Sequence, residues 1–378
     1  MKLQTILSFV TGPKPEQKCT SRGEVAEYED KTVLISGAGG SIGAELCQQV
    51  LVQNPRKLVL LENSEHALFC IEGLLSEMAD GVELCPMLGS VCDDGFLQRV
   101  FSEHKVDIVL HAAAYKHVAM VEKNPTAGIV NNVFGTRCLA LAAQCADVHR
   151  FVLISTDKAV RPVGVMGATK RLAELLIRDL ALRSSGTVFS IVRFGNVLGS
   201  SGSVVPIFRD QIARGGPVTL RDRRMTRYFM TVQEASRLVL SAGAIAQGGE
   251  IFVLDMGQPV RIAELAVKMI EAAGTCVRAL GSADVGIEIQ ETGLLPGEKL
   301  HEELVRPDGE IYPCGEKIFR VEEDGCSEIE IAALLRNLRK FIDAGDETRA
   351  VAELKNKVAE GETASQDITD QRQNLQSS

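Results

Sequence analysis

The stretch KTVLISGAGGSIGAELCQQVLVQ, residues 31–53, decides the fold. Its first apolar and β-branched residues, Thr32 to Ser36, are typical of a short buried strand. Glycines follow the strand at once: Gly37, Gly39, Gly40 and Gly43. Apolar residues then recur at helical spacing: Ile42, Leu46 and Val50. Strand, glycine turn and helix in this order are the context that a dinucleotide-binding fingerprint requires.

A glycine turn of this kind leaves backbone N–H groups free to approach a pyrophosphate at the N-terminus of the following helix. The candidate cofactor contacts in this turn are Gly37, Gly39, Gly40, Ser41, Ile42 and Gly43. A second strand-like run, KLVLLE, ends at Glu62, 19 residues after Gly43. A carboxylate there can accept hydrogen bonds from the adenosine ribose and would repel a 2′-phosphate. The sequence therefore favours NAD over NADP, and the alternative is a plain strand–helix turn with a surface glutamate.

The β–α alternation continues through VDIVLHAAA (106–114), RFVLIST (150–156) and TVFSIVRFGNV (187–197). Repeated units of this kind predict an α/β fold, a Rossmann-like doubly wound parallel sheet with helices on both faces. Ligands of such sheets bind beyond the carboxyl ends of the strands. Residues 111–114, 155–158 and 193–196 fall at the carboxyl ends of three of these strands, so we expect them to converge on one crevice. Within the first group, the predicted cofactor contacts are Ala112, Ala113 and Ala114.

Changes in composition predict the domain organisation. Residues 1–29 are interpreted as a peripheral arm and residues 30–195 as the NAD-binding domain, with later returns to it near 228–256. After residue 196 the pattern becomes irregular, which indicates a smaller α/β substrate-binding domain over most of 196–350. Residues 356–378 are polar and almost free of large apolar side chains, so this tail is expected to be disordered.

Composition excludes several classes of protein. With a net charge of −9 over 378 residues, the chain lacks the basic excess of a general nucleic-acid binder. Ten scattered cysteines without a C-x-x-C pair argue against a metal site or a disulfide framework and fit a reducing cytoplasm. The sequence contains no run of about 18 apolar residues, so it predicts no membrane span.

Beyond these patterns, the chain resembles the extended short-chain dehydrogenase/reductase superfamily. It is most similar to the nucleotide-sugar 4,6-dehydratases that act on UDP-N-acetylglucosamine, over roughly Lys31 to Leu304. The motifs that carry the resemblance are GAGGSIGAEL (37–46), HAAAYKHVAMVEKNP (111–125), NNVFGT (131–136), STDKAVRP (155–162), MGATKR (166–171), RFGNVLGSSGSVVPIF (193–208) and PGEKLHEEL (296–304). Their ordered occurrence is far more specific than any one of them.

The resemblance implies a redox-neutral dehydration. NAD removes a hydride from C4 of the hexose, water is eliminated across C5 and C6, and the hydride returns to C6. The product is a UDP-2-acetamido-2,6-dideoxy-4-keto-hexose. By the same analogy, Asp157 is the acid for the C6 oxygen, Lys158 is the base for C5, and Lys170 holds the nicotinamide ribose. An exposed ion pair is the alternative for the first two, and a solvated lysine for the third.

Met166 stands four residues before Lys170, where most of the superfamily has a catalytic tyrosine, and a thioether accepts no proton. The other candidate catalytic residues have nevertheless not been lost, because the sequence contains Thr156, Asp157, Lys158 and Lys170. The substitution resembles the retaining branch of these dehydratases, in which methionine is the usual residue. The O4 proton must then leave by another route, with Thr156 nearest and Asp157 or a water as the final acceptor. Met166 is expected to pack against the sugar or the nicotinamide.

The substrate side is predicted from the same resemblance. The candidate contacts are Lys116, His117, Asn196, Arg221, Arg227 and Glu298, with Lys299 beside the last of these. Guanidinium groups suit phosphate, so one arginine of the cluster 221–227 should meet the UDP diphosphate. Arg223 and Arg224 are expected to be solvated. Ser90, Leu295 and His301 depart from the family pattern, so the resemblance implies the reaction but not the details of cofactor affinity and substrate choice.

Three other functions remain open at this point: an inverting dehydratase, a UDP-sugar 4-epimerase and a non-catalytic NAD-binding scaffold. The resemblance also implies a homodimer or higher homo-oligomer, built on the helix after NNVFGT and the helix that carries Lys170. Leu172, Leu175 and Leu176 would join a four-helix contact between subunits. Their alternative is the core of a single chain.

Overall fold

The structure, a computed structural model, describes residues 27–278, 285–307, 309–323 and 325–358. Most of the predicted arm (to residue 26) and most of the predicted tail (from residue 359) lie outside these ranges. Tyr28, near the end of the predicted arm, is buried and donates a hydrogen bond to the Leu240 carbonyl oxygen at 3.1 Å. Residues 347–358 are helical. The tail prediction was therefore wrong for 356–358, because that helix buries Leu354 and Val358.

The strands, in chain order, are β1 (Thr32–Ser36), β2 (Lys57–Glu62), β3 (Glu83–Leu88), β4 (Ile108–His111), β5 (Arg150–Ile154), β6 (Val188–Arg193), β7 (Asn196–Val197), β8 (Val218–Leu220), β9 (Thr226–Arg227), β10 (Phe229–Met230), β11 (Ile251–Leu254), β12 (Val260–Arg261), β13 (Val277–Arg278), β14 (Ile287–Glu291), β15 (Glu310–Gly315) and β16 (Ile318–Glu322). The helices are α1 (Ser41–Leu51), α2 (Glu65–Ser76), α3 (Asp94–His104), α4 (Val118–Lys123), α5 (Pro125–Ile129), α6 (Gly135–Cys145), α7 (Val165–Arg183), α8 (Val204–Ala213), α9 (Val232–Ile245), α10 (Ile262–Ala272) and α11 (Glu328–Asp343). A wider helical turn, Val130–Phe134, joins α5 to α6, and a single tight turn, Asp157–Ala159, follows β5.

A nine-stranded sheet forms the centre of the molecule. Seven parallel strands stand in the order β3–β2–β1–β4–β5–β6–β11, and the antiparallel hairpin of β16 and β15 extends the sheet beyond β11. The strand order reverses between β1 and β4, which is the position where open α/β sheets bind ligands. This sheet confirms the predicted α/β class with a Rossmann-like centre.

Helices cover both faces of the sheet because the side chains of each buried strand alternate between them. On β1, Val33 and Ile35 enter the core formed with α1, α2 and α9, whereas Leu34 enters the core formed with α3, α6 and α7. Both sides of the strand are therefore apolar, which explains its continuous run of buried residues.

The residues after Asn196 build a smaller layer beside the carboxyl ends of the strands. It contains the three-stranded sheet β13–β14–β8, the pairs β10–β7 and β12–β9, and a separate apolar core under α8 and α10. The chain returns to the central sheet at β11, which pairs in parallel with β6. The boundary at 195–196 stays a prediction.

The outer face of α7 lies in the core of the chain itself. Leu172, Leu175 and Leu176 are buried in one apolar cluster with α11 and the helical residues 347–358. Helix α11 begins with a capping box between Ser327 and Glu330 and presents an apolar stripe to this cluster. The predicted four-helix contact through these three leucines was wrong, because the chain's own C-terminal helices cover them.

A buried ion cluster joins the sheet to α7. Arg193, expected at the mouth of the crevice, is instead fully buried, and its guanidinium donates to both carboxylate oxygens of Glu174 at 2.7 Å. It also donates to Glu323 at 2.9 Å, and Glu174 accepts the Ser155 hydroxyl at 2.6 Å. Burial alone would raise the pKa of Glu323, but hydrogen bonds and charge attraction from Arg193 lower it to about 2. This cluster braces the strand end that carries Ser155.

Candidate active site

The glycine turn after β1 is sterically fixed. Gly37 has φ +68°, and a Cβ there would stand 2.9 Å from the Cα of Ala113. A Cβ on Gly43 would stand 2.0 Å from the Gly37 carbonyl oxygen, and one on Gly39 would stand 2.5 Å from the Ala67 Cβ. Helix α1 starts directly after this turn, and no side chain caps its first N–H groups. The turn can therefore receive the phosphates of a dinucleotide on backbone donors.

Glu62 ends β2 beside this turn and is buried. One carboxylate oxygen accepts the Gly39 N–H at 3.0 Å, and the other accepts the N–H groups of Asn63 and Ser64 at 2.9 and 3.1 Å. The carboxylate is thereby held at the edge of a pocket that Gly37, Gly39, Ala113 and Val91 also line. The alternative of a surface glutamate is excluded, and the geometry suits the hydroxyls of a ribose.

A second pocket holds most of the predicted catalytic residues. Its lining includes Thr156, Lys158, Met166 and Lys170 together with the candidate substrate contacts Lys116, His117 and Asn196. Gly40, Ala112, Ala114 and Tyr115 line both pockets, so the two form one groove. The groove runs across the carboxyl ends of the central strands, which is the position predicted for the crevice from the sequence.

Asp157 and Lys158 form one hydrogen-bonded unit with Thr156. The Lys158 ammonium donates to Asp157 Oδ1 at 3.0 Å, and the Thr156 hydroxyl donates to the same oxygen at 2.9 Å. Lys158 also donates to Asn196 Oδ1 at 3.1 Å. Asp157 is fully buried and does not line the groove, whereas the Lys158 side chain is 22% exposed. The pair is therefore not an exposed ion pair, and Lys158 is the member that can reach a substrate directly.

Asp157 Oδ2 is buried and has no hydrogen-bond partner in the described part of the chain. A Cβ on Gly195 would lie 3.2 Å from this oxygen, so glycine leaves the backbone of that strand end close to the carboxylate. Because an unpaired buried carboxylate oxygen is costly, this atom is a candidate site for a proton or for a donor that arrives with a ligand.

Lys170 and Met166 stand on the first turns of α7. Lys170 donates to the Ile154 carbonyl oxygen at 2.7 Å, and burial lowers its pKa to about 8 against a smaller opposing effect of Glu174. Lys170 is buried, so the alternative of a solvated lysine is excluded. Met166 is buried at the groove wall, and its thioether offers no base there.

Lys116 and His117 line the same groove as Lys158. Burial lowers the pKa of Lys116, and burial with the Lys116 charge lowers that of His117. The His117 ring lies against Gly202 of the loop 199–203, where a Cβ would stand 2.5 Å from the ring. The Ser201 N–H in this loop donates to the Ser41 hydroxyl at 3.4 Å. The loop therefore spans from the substrate side to the glycine turn.

Three predicted substrate residues do not line the groove. Arg227 is buried, and its guanidinium donates to the carbonyl oxygens of Thr226, Lys299 and Leu300. Arg221 donates to Thr292 at 3.0 Å and lies 3.6 Å from Glu298, whose carboxylate accepts the Leu295 N–H. These side chains hold the segment PGEKLHEEL against β9, so a role in phosphate binding stays a prediction. Lys299 donates to the Val160 carbonyl oxygen at 2.7 Å, while Arg223 and Arg224 are exposed as expected.

The structure adds two carboxylates to the site. Glu122 accepts the Val165 N–H at the start of α7 and packs against Gly164 and Gly297. Glu302 is buried with one carboxylate oxygen 3.8 Å from the Lys158 nitrogen. Both lie inside motifs of the sequence, but their partners are more than 40 residues away, so local patterns do not reveal these contacts.

His111 is the last residue of β4 and was expected at the crevice, yet it lies outside the groove. The ring is fully buried between the hydroxyls of Ser36 and Thr136, at 2.7 and 2.9 Å. Burial, with a smaller effect of the Lys170 charge, lowers its pKa to about 3. His111 is therefore a neutral brace between β1, β4 and α6.

Protonation of His111 is expected to make the fold acid-sensitive. The pKa of this ring is depressed in the folded chain, so the unfolded chain binds its proton first as the pH falls below about 6.5. Stability should decline by up to about 1.4 kcal/mol per pH unit from this group. Urea unfolding of the native chain and of His111→Gln between pH 7 and 5 tests this. The free energy of unfolding should change less steeply with pH in the variant, by the contribution of about one proton. Equal slopes for the two chains would contradict the assignment.

Within the described ranges, no group of three or more His, Cys, Asp or Glu side chains is arranged to hold a metal ion. In the same part of the chain, no helix has the length and apolar character needed to cross a bilayer.

Residues 33–323 match the family described as "Polysaccharide biosynthesis protein". The chain is 48% identical to the capsular polysaccharide biosynthesis protein CapD of Staphylococcus aureus, over 82% of this chain and 51% of that protein. It thus spans about half the length of this relative. It is also 33% identical to an inverting UDP-N-acetylglucosamine 4,6-dehydratase of Campylobacter jejuni, over 74% of this chain and 79% of that protein. A UDP-glucose 4-epimerase of Rickettsia massiliae matches at 33% identity, over 74% and 78%.

Solved structures give the same picture. Pen from Bacillus thuringiensis superimposes with a TM-score of 0.70 and 32% identity, covering 82% of this chain and 98% of that one. The dTDP-glucose 4,6-dehydratase DesIV of Streptomyces venezuelae, solved with NAD, shares the fold with a TM-score of 0.62 and 22% identity, over 72% and 87%. The family match covers well over half of the chain, and relatives above 30% identity are aligned along most of it. The chain therefore belongs to the polysaccharide biosynthesis protein family.

Proposed function

We propose that this chain is an NAD-dependent UDP-N-acetylglucosamine 4,6-dehydratase that retains the configuration at C5. The observation that carries the proposal is the unit of Thr156, Asp157 and Lys158 at the groove, next to Lys170 and with Met166 at the tyrosine position. This arrangement provides groups for elimination without the tyrosine on which oxidation usually depends.

The residues of the first pocket fit NAD. Gly37, Gly39 and Gly43 leave no room for side chains and clear a backbone surface for the pyrophosphate. The fixed Glu62 carboxylate faces the same pocket and can accept ribose hydroxyls. When bound, NAD supplies a reversible hydride acceptor for C4 and C6 of the sugar. Lys170, with its lowered pKa, would donate to the nicotinamide ribose after leaving the Ile154 carbonyl.

The remaining groups have separate tasks in the proposed reaction. Thr156 would hydrogen-bond O4 of the sugar and relay the O4 proton to Asp157, because its hydroxyl already donates to that carboxylate. Lys158 would remove the C5 proton once a ketone at C4 has made it acidic. Asp157, after gaining a proton, would assist departure of the C6 hydroxyl as water by passing that proton back through the Thr156 hydroxyl, which lines the groove. The same ammonium of Lys158 would return its proton to the face of C5 from which it came, which gives retention.

Two other reactions are alternatives to the retaining dehydration: an inverting dehydration and a 4-epimerisation. The inverting reaction is supported by the names of relatives at 32–33% identity, whereas Met166 favours retention through the resemblance. Epimerisation is supported by relatives named UDP-glucose 4-epimerase, but it has no use for the Asp157–Lys158 unit. Substrate identity and C5 configuration are therefore part of the proposal.

Proton NMR of the purified protein with NAD and UDP-N-acetylglucosamine tests the proposal. A new C6 methyl doublet is expected, with couplings of the unchanged gluco configuration at C5. Altered couplings at C5 would support the inverting reaction. A C4 epimer without a methyl signal would support the epimerase, and no change in the spectrum would contradict the dehydratase altogether.

Glu62→Gln is expected to weaken NAD binding by roughly 10–100-fold, because hydrogen bonds to a charged group contribute about 1.5–3 kcal/mol. The amide cannot accept at both oxygen positions, so it also loosens the Gly39 turn. Discrimination against NADP should shrink, since the repulsion of a 2′-phosphate is removed. Calorimetric titration of both cofactors against the native chain and the variant measures this. Tighter binding of NADP than of NAD by the native chain would contradict the ribose assignment.

A further inference from the structure

A second buried carboxylate reaches the catalytic lysine from the opposite half of the chain. Glu302 lies in PGEKLHEEL, and its Oε1 stands 3.8 Å from the Lys158 nitrogen. Its side chain is only 3% exposed, and its Oε2 has no hydrogen-bond partner among the described residues. A buried glutamate without a full set of partners is costly to keep. We therefore expect the buried Glu302 carboxylate to have a function.

Glu302 brings a second carboxylate to the Lys158 ammonium. Three oxygens surround the ammonium: Asp157 Oδ1 at 3.0 Å, Asn196 Oδ1 at 3.1 Å and Glu302 Oε1 at 3.8 Å. Two of the three belong to carboxylates. Arg227 stands 3.6 Å from the same Glu302 oxygen, and the Lys299 charge also acts on both carboxylates. Farther out, Arg161 pairs with Glu303 at the surface.

Arg227 links this carboxylate to the substrate-side segment. Its guanidinium donates to the carbonyl oxygens of Lys299 and Leu300, three and two residues before Glu302, and to that of Thr226 in β9. The position of Glu302 is thus set by the fold of PGEKLHEEL, whereas Lys158 belongs to the end of β5. The contact between Glu302 and Lys158 therefore joins the segment PGEKLHEEL to the end of β5, at the residue proposed to take the C5 proton.

We propose that Glu302 is a positioning residue that holds the Lys158 amine in place and raises its affinity for a proton. The proposal rests on the proposed dehydratase chemistry, in which Lys158 takes the C5 proton and then returns it. Glu302 Oε1 stands 3.8 Å from the Lys158 nitrogen, so this carboxylate brings a second opposite charge to the amine. The partner of Oε2 is expected to arrive with the substrate.

Glu302→Gln tests the proposal because it removes the charge and keeps the volume. Loss of a nearby opposite charge favours the neutral amine. The acidic limb of the kcat profile should therefore move to lower pH, while kcat on the plateau falls because the neutral amine takes up the C5 proton less strongly. Glu303→Gln is the matched control, since its carboxylate pairs with Arg161 at the surface, and its acidic limb should stay in place.

A readout without turnover separates this proposal from the dehydratase proposal. Lysine labelled with ¹³C at Cε gives an NMR titration of each amine, and Lys158→Met assigns the signal of Lys158. That signal should titrate at lower pH in Glu302→Gln than in the native chain and in Glu303→Gln. Glu302→Asp, which keeps the charge, should restore most of the native value and serves if the glutamine variant does not fold. An unmoved Lys158 titration in a folded Glu302→Gln chain would overturn the proposal, whether or not the native chain makes the 4-keto product.

Discussion

Lys158→Met is expected to lower kcat for the 4-keto product by about 10²–10⁴-fold, the usual effect of losing a positioned proton-transfer group. Methionine keeps much of the side-chain volume but offers no base for the C5 proton. The hydrogen bonds to Asp157 and Asn196 are lost at the same time. Oxidation at C4 should remain at least partly possible, because Thr156 and Lys170 are untouched. Single-turnover absorbance of NADH and the rate of product formation measure the two steps separately.

Two companion variants control this expectation. Asp157→Asn should slow departure of the C6 hydroxyl, because an amide is a poor acid. Met166→Tyr should give no large rescue and can slow turnover, since a larger side chain enters the groove wall beside the sugar. Native turnover by Lys158→Met, with full deuterium wash-in at C5 from solvent, would mean that the base lies elsewhere.

Arg193→Met is expected to lower the free energy of unfolding by about 3–5 kcal/mol, the usual cost of breaking a buried ion pair. The substitution leaves the carboxylates of Glu174 and Glu323 buried with less compensating charge. It also releases Glu174, which holds the Ser155 hydroxyl at the end of β5. Equilibrium urea unfolding measures the loss.

The control for this effect is an ion pair at the surface. Arg183 pairs with Glu328 between α7 and α11, and both side chains are largely solvated. Glu328→Gln should therefore change stability by less than about 1 kcal/mol. A loss from Arg193→Met no larger than that of Glu328→Gln would show that the buried cluster contributes little to the fold.

The part of the site that sequence predicts is the part built from adjacent residues. The glycine turn, Glu62 and the strand ends at Thr156 and Lys158 lie within one β–α unit each, so spacing alone indicates their neighbours. The parallel order of the strands then brings these units to one edge of the sheet. Their roles in catalysis stay predictions until variants are measured.

Contacts between distant segments could not be predicted in the same way. Arg227 is polar and basic in sequence, yet three carbonyl oxygens occupy its guanidinium once PGEKLHEEL folds over β9. The resemblance implied a subunit contact for Leu172, but the C-terminal helices cover it within the chain. Arg193 ends β6, where a residue of the crevice was expected, but its side chain donates to Glu174 of α7. Each of these outcomes depends on a partner that local patterns do not identify.

The central claim is that one hydride leaves C4 and returns to C6 of the same sugar. UDP-N-acetylglucosamine that carries deuterium at C4 tests this most directly, with NAD and the native chain in ordinary water. The account predicts a product with one deuterium in its C6 methyl group, without dilution by solvent. Deuterium that returns to C4 of an epimerised or unchanged sugar, with no methyl signal, would contradict it.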